Sequence, residues 1–251
     1  MASNQNDTER TSEAHDRRYP VRGVHGRVVT EIGERIIGNR LPPGEPLPRE
    51  AELMAEFSAS RTTVREAIKV LAAKGLVEAR QKLGLRVRPQ AAWNLLDPDV
   101  LNWYAASAPS PQLTDHLVEL RTMIEPAACR LAAIRRTAAD LEALAQAFSQ
   151  MSAATNDLIS YYQADLAFHR AIFKAAGNPF VDRLGDIVTA VLEVSFNLQQ
   201  RSLIPAVEGL VLHGPVINAI RERDETAAEQ AMLTIIESAR QELQAGQSGE
   251  N

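Results

Sequence analysis

The chain has 251 residues, one cysteine and 45% apolar side chains, enough for two domains with separate cores and too few thiols for a disulfide framework. No apolar run approaches the roughly 18 to 20 residues that span a bilayer, so the expectation is a cytoplasmic protein without a membrane segment. The net charge of −5 hides a division: residues 1–90 carry 16 Lys and Arg against 12 Asp and Glu, residues 91–251 carry 11 against 20, a distribution suited to nucleic-acid binding by the front half alone.

Residues 1–19 are polar and aperiodic and read as a disordered tail. Over 24–37, Val24, Val28, Ile32, Ile36 and Ile37 recur at helical spacing, and Gly38-Asn39 supplies a stop. The proline-rich LPPGEPLP that follows is a rigid extended loop. Residues 49–57 read as a short helix with Leu53, Met54 and Phe57 inward. After a brief turn, Ser60 caps a helix over 61–74 that buries Val64, Ile68 and Leu71 and ends at Gly75. LVEARQ and LRVRP then form a small hairpin, and Pro89 closes a unit spanning 20–89.

Residues 90–110 hold both tryptophans, Trp93 and Trp103, and are too apolar for a free tether, so this connector is expected to pack between domains. Everything from 111 to 245 reads as helix. Pro126 interrupts the first helical stripe, Thr137 to Asp140 resembles a capping box, and Asn178-Pro179 opens a helix reaching about 200. The last two helices are placed at 215–223 and 226–243. The expected architecture is mainly α: a winged helix-turn-helix of three helices plus a β-hairpin wing, then an antiparallel bundle of about six to seven helices.

Arg61, Thr62 and Arg65 fall on the polar side of the 61–74 helix, near its N-terminal end. Recognition helices present that end to base edges and phosphates in the major groove, where Arg donates a pair of hydrogen bonds to guanine. An alternative for the same arginines is a solvated face paired with Glu66 or Glu56. The stretch from LPPGEPLPREAELMAEF through SRTTVREA and GLV to the basic wing resembles the GntR family of bacterial regulators over nearly all of 24–89. That resemblance implies operator contacts from Ser60, Arg61, Thr62 and Arg65, with Gln81 and Lys82 in the wing. Where some members carry an arginine ahead of the EL pair, this chain has Ala51, with Arg49 two residues earlier as the candidate contact.

In the second half, Asp165 and His169 lie four residues apart on one helix and share a face, and His213 lies on another segment. The three would form a 2-His-1-carboxylate set for a divalent metal with open positions, or an ordinary polar cluster. LVELRTMIEPAACRLAA, YYQADLAFHRAIFKAAGNP and HGPVINAIRERDETAAEQAM resemble the FCD-type effector domain of the FadR subfamily over about 113–240. By that resemblance a metal such as zinc lies at the base of a ligand cavity, but the family's last histidine falls here at Ile235. Gly214-Pro215 is expected to put His213 at the mouth of its helix. Arg121, paired either with Glu125 or with an incoming carboxylate, together with Asp165, His169, Asn178 and His213, makes up the candidate ligand set.

The connector WNLLDPDVLNWY is most similar to that of repressors of sugar-acid catabolism, galactonate among them. The resemblance thus implies a homodimeric regulator that binds an inverted repeat in double-stranded DNA and answers to a small carboxylate. An enzyme built on Asp165, His169 and His213 would need a general base in the cavity and would give residues 24–89 no role.

Overall fold

Three helices carry the first core. α1 (Gly23–Ile37), α2 (Glu50–Phe57) and α3 (Arg61–Ala73) bury Val28, Val29, Ile32, Ile36, Leu53, Phe57, Val64, Ile68 and Leu71. Val24, at the first turn of α1, is exposed, and Val29 takes an inward place instead. The hairpin is β1 (Val77–Arg80) against β2 (Gly84–Val87), antiparallel with Val77 opposite Val87 and Arg80 opposite Gly84. The computed structural model describes residues 23–81, 84–107, 111–199 and 206–248. The tail at 1–19 and Lys82 of the wing lie outside them.

The chain divides into two units, Met1–Ser107 and Ala108–Asn251. The aromatic segment expected as a connector is therefore part of the first unit. A short 3-10 turn (Gln90–Ala92) leads to α4 (Pro98–Ser107), and Trp93, Val100 and Trp103 are buried in the first core. Two bare glycines admit this segment. A Cβ at Gly33 would meet the Trp103 ring at 2.4 Å, and one at Gly75, where φ is +78°, would meet the Ala92 carbonyl at 2.4 Å. Lys74 holds the segment down through Asp97 at 2.8 Å and Asp99 at 2.6 Å, and the Trp93 indole N–H donates to the Arg88 carbonyl at 3.0 Å.

The second unit is wholly helical among its described residues: α5 (Pro111–Arg135), α6 (Ala138–Ala153), α7 (Leu158–Ala175), α8 (Pro179–Gln199), α9 (Ala206–Glu222) and α10 (Glu225–Ser248). Their starts are written in side-chain caps. Thr137 accepts from the Asp140 backbone N–H at 3.2 Å, and Asp157 accepts from Ile159 and Ser160. Phe168, Ile172, Phe173, Leu144, Met151, Ile220 and Met232 make the core.

Two prolines sit inside helices. Pro126 lies within α5, and Pro215 lies within α9 rather than at its start. Each removes one backbone donor and crowds the preceding turn. The flanking turns of α9 continue through Pro215, so His213 is an interior residue of that helix and not at its mouth.

Candidate functional site

In the first unit, Ser60 caps α3 by accepting from the Thr63 backbone N–H at 3.1 Å. The cap fixes where the helix begins and hence which residues occupy its first turn. Arg61, Thr62 and Arg65 are exposed, on the side opposite buried Val64, Ala67, Ile68 and Leu71. Arg65 is 64% exposed and its Nε lies 3.0 Å from Glu50 Oε1 at the start of α2. That partner differs from those expected: Glu66 pairs with Lys69, and Glu56 with Arg35. Glu50 was missed because nothing in the sequence tells which helix faces α3. Arg49 is exposed, and its backbone N–H donates to Glu52 Oε2 at 2.9 Å, which starts α2. Gln81 is exposed at the turn of the hairpin.

In the second unit, ionisable groups converge from three helices, all of them buried but Asp165, whose side chain is 16% exposed. α5 brings Arg121 and Glu125, which are 3% and 1% exposed, with Arg121 Nε 2.5 Å from Glu125 Oε1. α7 brings Asp165 and His169, and α9 brings His213. The second Glu125 oxygen lies 2.5 Å from His169 Nδ1, and Asp165 Oδ1 lies 2.9 Å from His213 Nε2 and 3.8 Å from His169 Nε2. Charges this deep in an apolar bundle persist only when paired. Burial pushes the Glu125 carboxyl upward, but the Arg121 and His169 charges overcome it and hold it at about 2. Asp165 behaves alike: burial raises it, and His169, His213 and Arg121 bring it to about 2. His169 moves above its ordinary value, because Glu125 and Asp165 outweigh the burial that lowers it. Cys129 is an inert thiol, raised first by burial and then by the charge of Glu125.

The ring orientations bear on a metal. His213 Nδ1 stands 2.7 Å from the Gly209 carbonyl, which can only accept, so Nδ1 carries a proton and Nε2 is the nitrogen turned toward Asp165. Nε2 is buried without a hydrogen-bond partner among the described residues, although Asp165 Oδ1 stands 2.9 Å away. His169 Nδ1 and Glu125 Oε2 face each other at 2.5 Å. One atom each from Asp165, His169 and His213 falls within 4.8 Å of the others. An imidazole held by a backbone carbonyl and a carboxylate behind a second imidazole are the supports that metal-bound histidines use, so the residues present fit a divalent ion.

Ile235 is buried on α10, within the apolar core. Asn178 is not brought to the cluster. Its side-chain oxygen accepts from the Phe180 backbone N–H at 2.9 Å and starts α8, beyond the far end of α7 from Asp165.

Residues 25–87 match the bacterial regulatory proteins of the gntR family, and residues 116–238 match the FCD domain. The chain is 36% identical over 220 residues to the galactonate operon transcriptional repressor of Escherichia coli K12, an alignment that covers 86% of this chain and 95% of that one. It is 33% identical to the uncharacterized HTH-type transcriptional regulator YieP of the same organism, over 84% of this chain and 91% of the relative. Among solved structures, Lar, described as controlling the Listeria monocytogenes agr system, shares the fold with a TM-score of 0.64 at 20% identity, over 89% of this chain and 97% of the other. The winged helix-turn-helix, the helical second unit and these relatives place the chain in the GntR family, with an FCD effector domain, as a DNA-binding transcription regulator and not an enzyme.

Proposed function

We propose that this chain represses a catabolic operon for a sugar acid and leaves its operator when the acid binds within the helical second unit. The observation that carries the reading is the Arg121–Glu125–His169–Asp165–His213 cluster, which gives an apolar bundle an ionic, hydrogen-bonding interior with Arg121 as its permanent cation. Such a site mismatches an apolar ligand and suits a small polyol anion. Glu125 occupies Arg121 Nε, and the remaining N–H groups of the guanidinium fork are the donors offered to a carboxylate. The galactonate operon repressor, similar along nearly its whole length, points to an aldonate as the acid.

Asp165, His169 and His213 would hold a divalent ion, zinc or similar, which when bound offers the acid a Lewis-acidic contact. Ile235 adds no ligand, so a position stays open to the effector. On the DNA side, Arg61, Thr62 and Arg65, with Ser60 at the cap, Arg49 before α2, and Gln81 and Lys82 in the wing, are the proposed operator contacts. The chain would act as a cytoplasmic homodimer on an inverted repeat, because one small winged helix touches too few bases for a specific site. No helix among the described residues is long and apolar enough to cross a membrane. Linkage is reciprocal: if the acid weakens operator binding by some factor, the operator weakens acid binding equally.

Calorimetry with D-galactonate on the wild type and Arg121→Ala, with and without chelator, tests the reading. Tight binding by the wild type and loss in the variant support it. Absence of binding by any aldonate, or equal binding by both proteins, overturns it.

A further inference from the structure

One turn before Asp165 on α7 stands Tyr161, so Tyr161, Asp165 and His169 succeed one another along one face. Tyr161 is 9% exposed, and its phenol oxygen is buried without a hydrogen-bond partner among the described residues. Buried tyrosine hydroxyls usually find a partner, and an unmatched one is a standing cost to the fold. α9 makes room for this one. Position 209 is glycine, and a Cβ there would fall 2.6 Å from the phenol oxygen. Glycine inside a helix weakens the helix, so the space is kept at the expense of α9.

The carbonyl of the same Gly209 orients His213. One turn on along each helix, the Tyr161–Gly209 approach gives way to the Asp165–His213 contact at 2.9 Å. The phenol therefore lies on the same seam between α7 and α9 as the polar cluster, one turn from it. Burial first, then the charges of Asp165 and of Glu242 on α10, push the Tyr161 hydroxyl upward, so it remains a donor across the physiological range.

We propose that the Tyr161 hydroxyl is a specificity-determining contact of the effector pocket, donating a hydrogen bond to a distal oxygen of an open-chain polyhydroxy acid whose carboxylate end lies at Arg121 and the Asp165–His169–His213 cluster. The proposal rests on the sugar-acid reading above and adds a length requirement to it. One helical turn is about 5.4 Å, a span that an extended pentonate or hexonate covers and that lactate or glycolate does not. A short hydroxy acid would fill the cluster and leave the phenol unmatched.

The test is calorimetry of the full chain, wild type and Tyr161→Phe, with D-galactonate, its mono-deoxy analogues and lactate. The variant is expected to bind D-galactonate on the order of tenfold or more weaker, with unchanged operator affinity in the absence of the acid and unchanged affinity for zinc. One deoxy analogue should lose a like factor against the wild type and nothing further against Tyr161→Phe, closing a coupled cycle. Gly209→Ala, which displaces the phenol, should weaken D-galactonate more than lactate.

If the wild type binds D-galactonate and Tyr161→Phe binds it equally, this inference falls and the sugar-acid reading stands. A uniform loss across galactonate, every deoxy analogue and lactate reveals a merely structural tyrosine and also overturns it. If the wild type binds no aldonate, both fall together.

Discussion

Glu125 Oε2 stands 2.5 Å from His169 Nδ1 while the other oxygen of the same carboxylate holds Arg121 Nε. One anion thus fixes both the guanidinium offered to the effector and a proposed metal ligand. Its folded acidity is set with that of Asp165: both lie at about 2, below their ordinary 4.5 and 3.8. A depressed carboxyl stabilises the fold above its unfolded value, and that contribution is lost as pH falls through the folded one. The second unit, kept metal-free with chelator, should therefore hold a level urea midpoint between about pH 4.5 and 6.5 and lose it progressively toward about 2. His169 acts in the other direction, since its raised value makes its contribution complete below 6.5 and lost as pH climbs through the folded value. Glu125→Gln leaves Arg121 buried without a counter-ion and should cost roughly 3–5 kcal/mol at neutral pH while flattening the acid limb. Equal midpoints for wild type and variant at pH 7 would count against this account.

The Trp103 ring lies where a Cβ on Gly33 would be, at 2.4 Å. Gly33→Ala in the full chain forces ring and helix apart, and overpacking of this kind costs about 1–3 kcal/mol. The gain in helix propensity, roughly 1 kcal/mol, does not offset it. The expected signature is a lower first-unit unfolding midpoint with altered tryptophan fluorescence. An unchanged or higher midpoint would show that α4 is not seated against α1 in solution.

The recognition helix was readable because every level agreed: Val64, Ile68 and Leu71 at helical spacing, a serine cap, and Gly75 as terminator. The aromatic segment showed only that it must be buried. Trp93 and Trp103 carry no mark of which core they join, and the bare positions that admit their segment, Gly33 against the Trp103 ring and Gly75 against the Ala92 carbonyl, lie away from it in sequence. The start of α9 was misplaced because proline is a good first helical residue, and only packing shows that a helix continues through Pro215. Asp165 and His169 were paired by spacing, and Arg121 with Glu125 likewise. That Glu125 also reaches His169, and that Tyr161 sits over Gly209, are contacts between helices, which periodicity within one helix does not encode.

His213 Nε2, buried beside Asp165 without a hydrogen-bond partner among the described residues while Nδ1 is held by the Gly209 carbonyl, sets an expectation for metal. Zinc at about 100 times its dissociation constant should stabilise the wild type by roughly 2.7 kcal/mol, and EDTA should reverse the gain. Asp165→Ala and His213→Ala should each abolish it. Thermal denaturation of the three proteins with zinc and with EDTA is sufficient, and a wild type indifferent to both would remove the metal from the proposed site.

Arg65 is engaged by Glu50 from the neighbouring helix at 3.0 Å, although the guanidinium is mostly in solvent. An exposed pair of this kind contributes little to stability, so operator DNA can take the arginine over at small cost. Arg61→Ala and Arg65→Ala are each expected to weaken the operator complex by about 1–3 kcal/mol without altering the thermal midpoint or effector binding. Glu50→Gln removes the competing anion from the same surface and should strengthen DNA binding modestly. Salt dependence separates the possible roles. A residue that contacts phosphate lowers the slope of log affinity against log salt by about one when removed and weakens all sequences alike, whereas one that reads a base leaves the slope and relaxes preference at a single position. Gel-shift titration of wild type, Arg61→Ala, Arg65→Ala and Glu50→Gln on the operator and on a scrambled duplex, at two salt concentrations, distinguishes them. Wild-type affinity in both arginine variants would remove the first turn of α3 from the DNA interface.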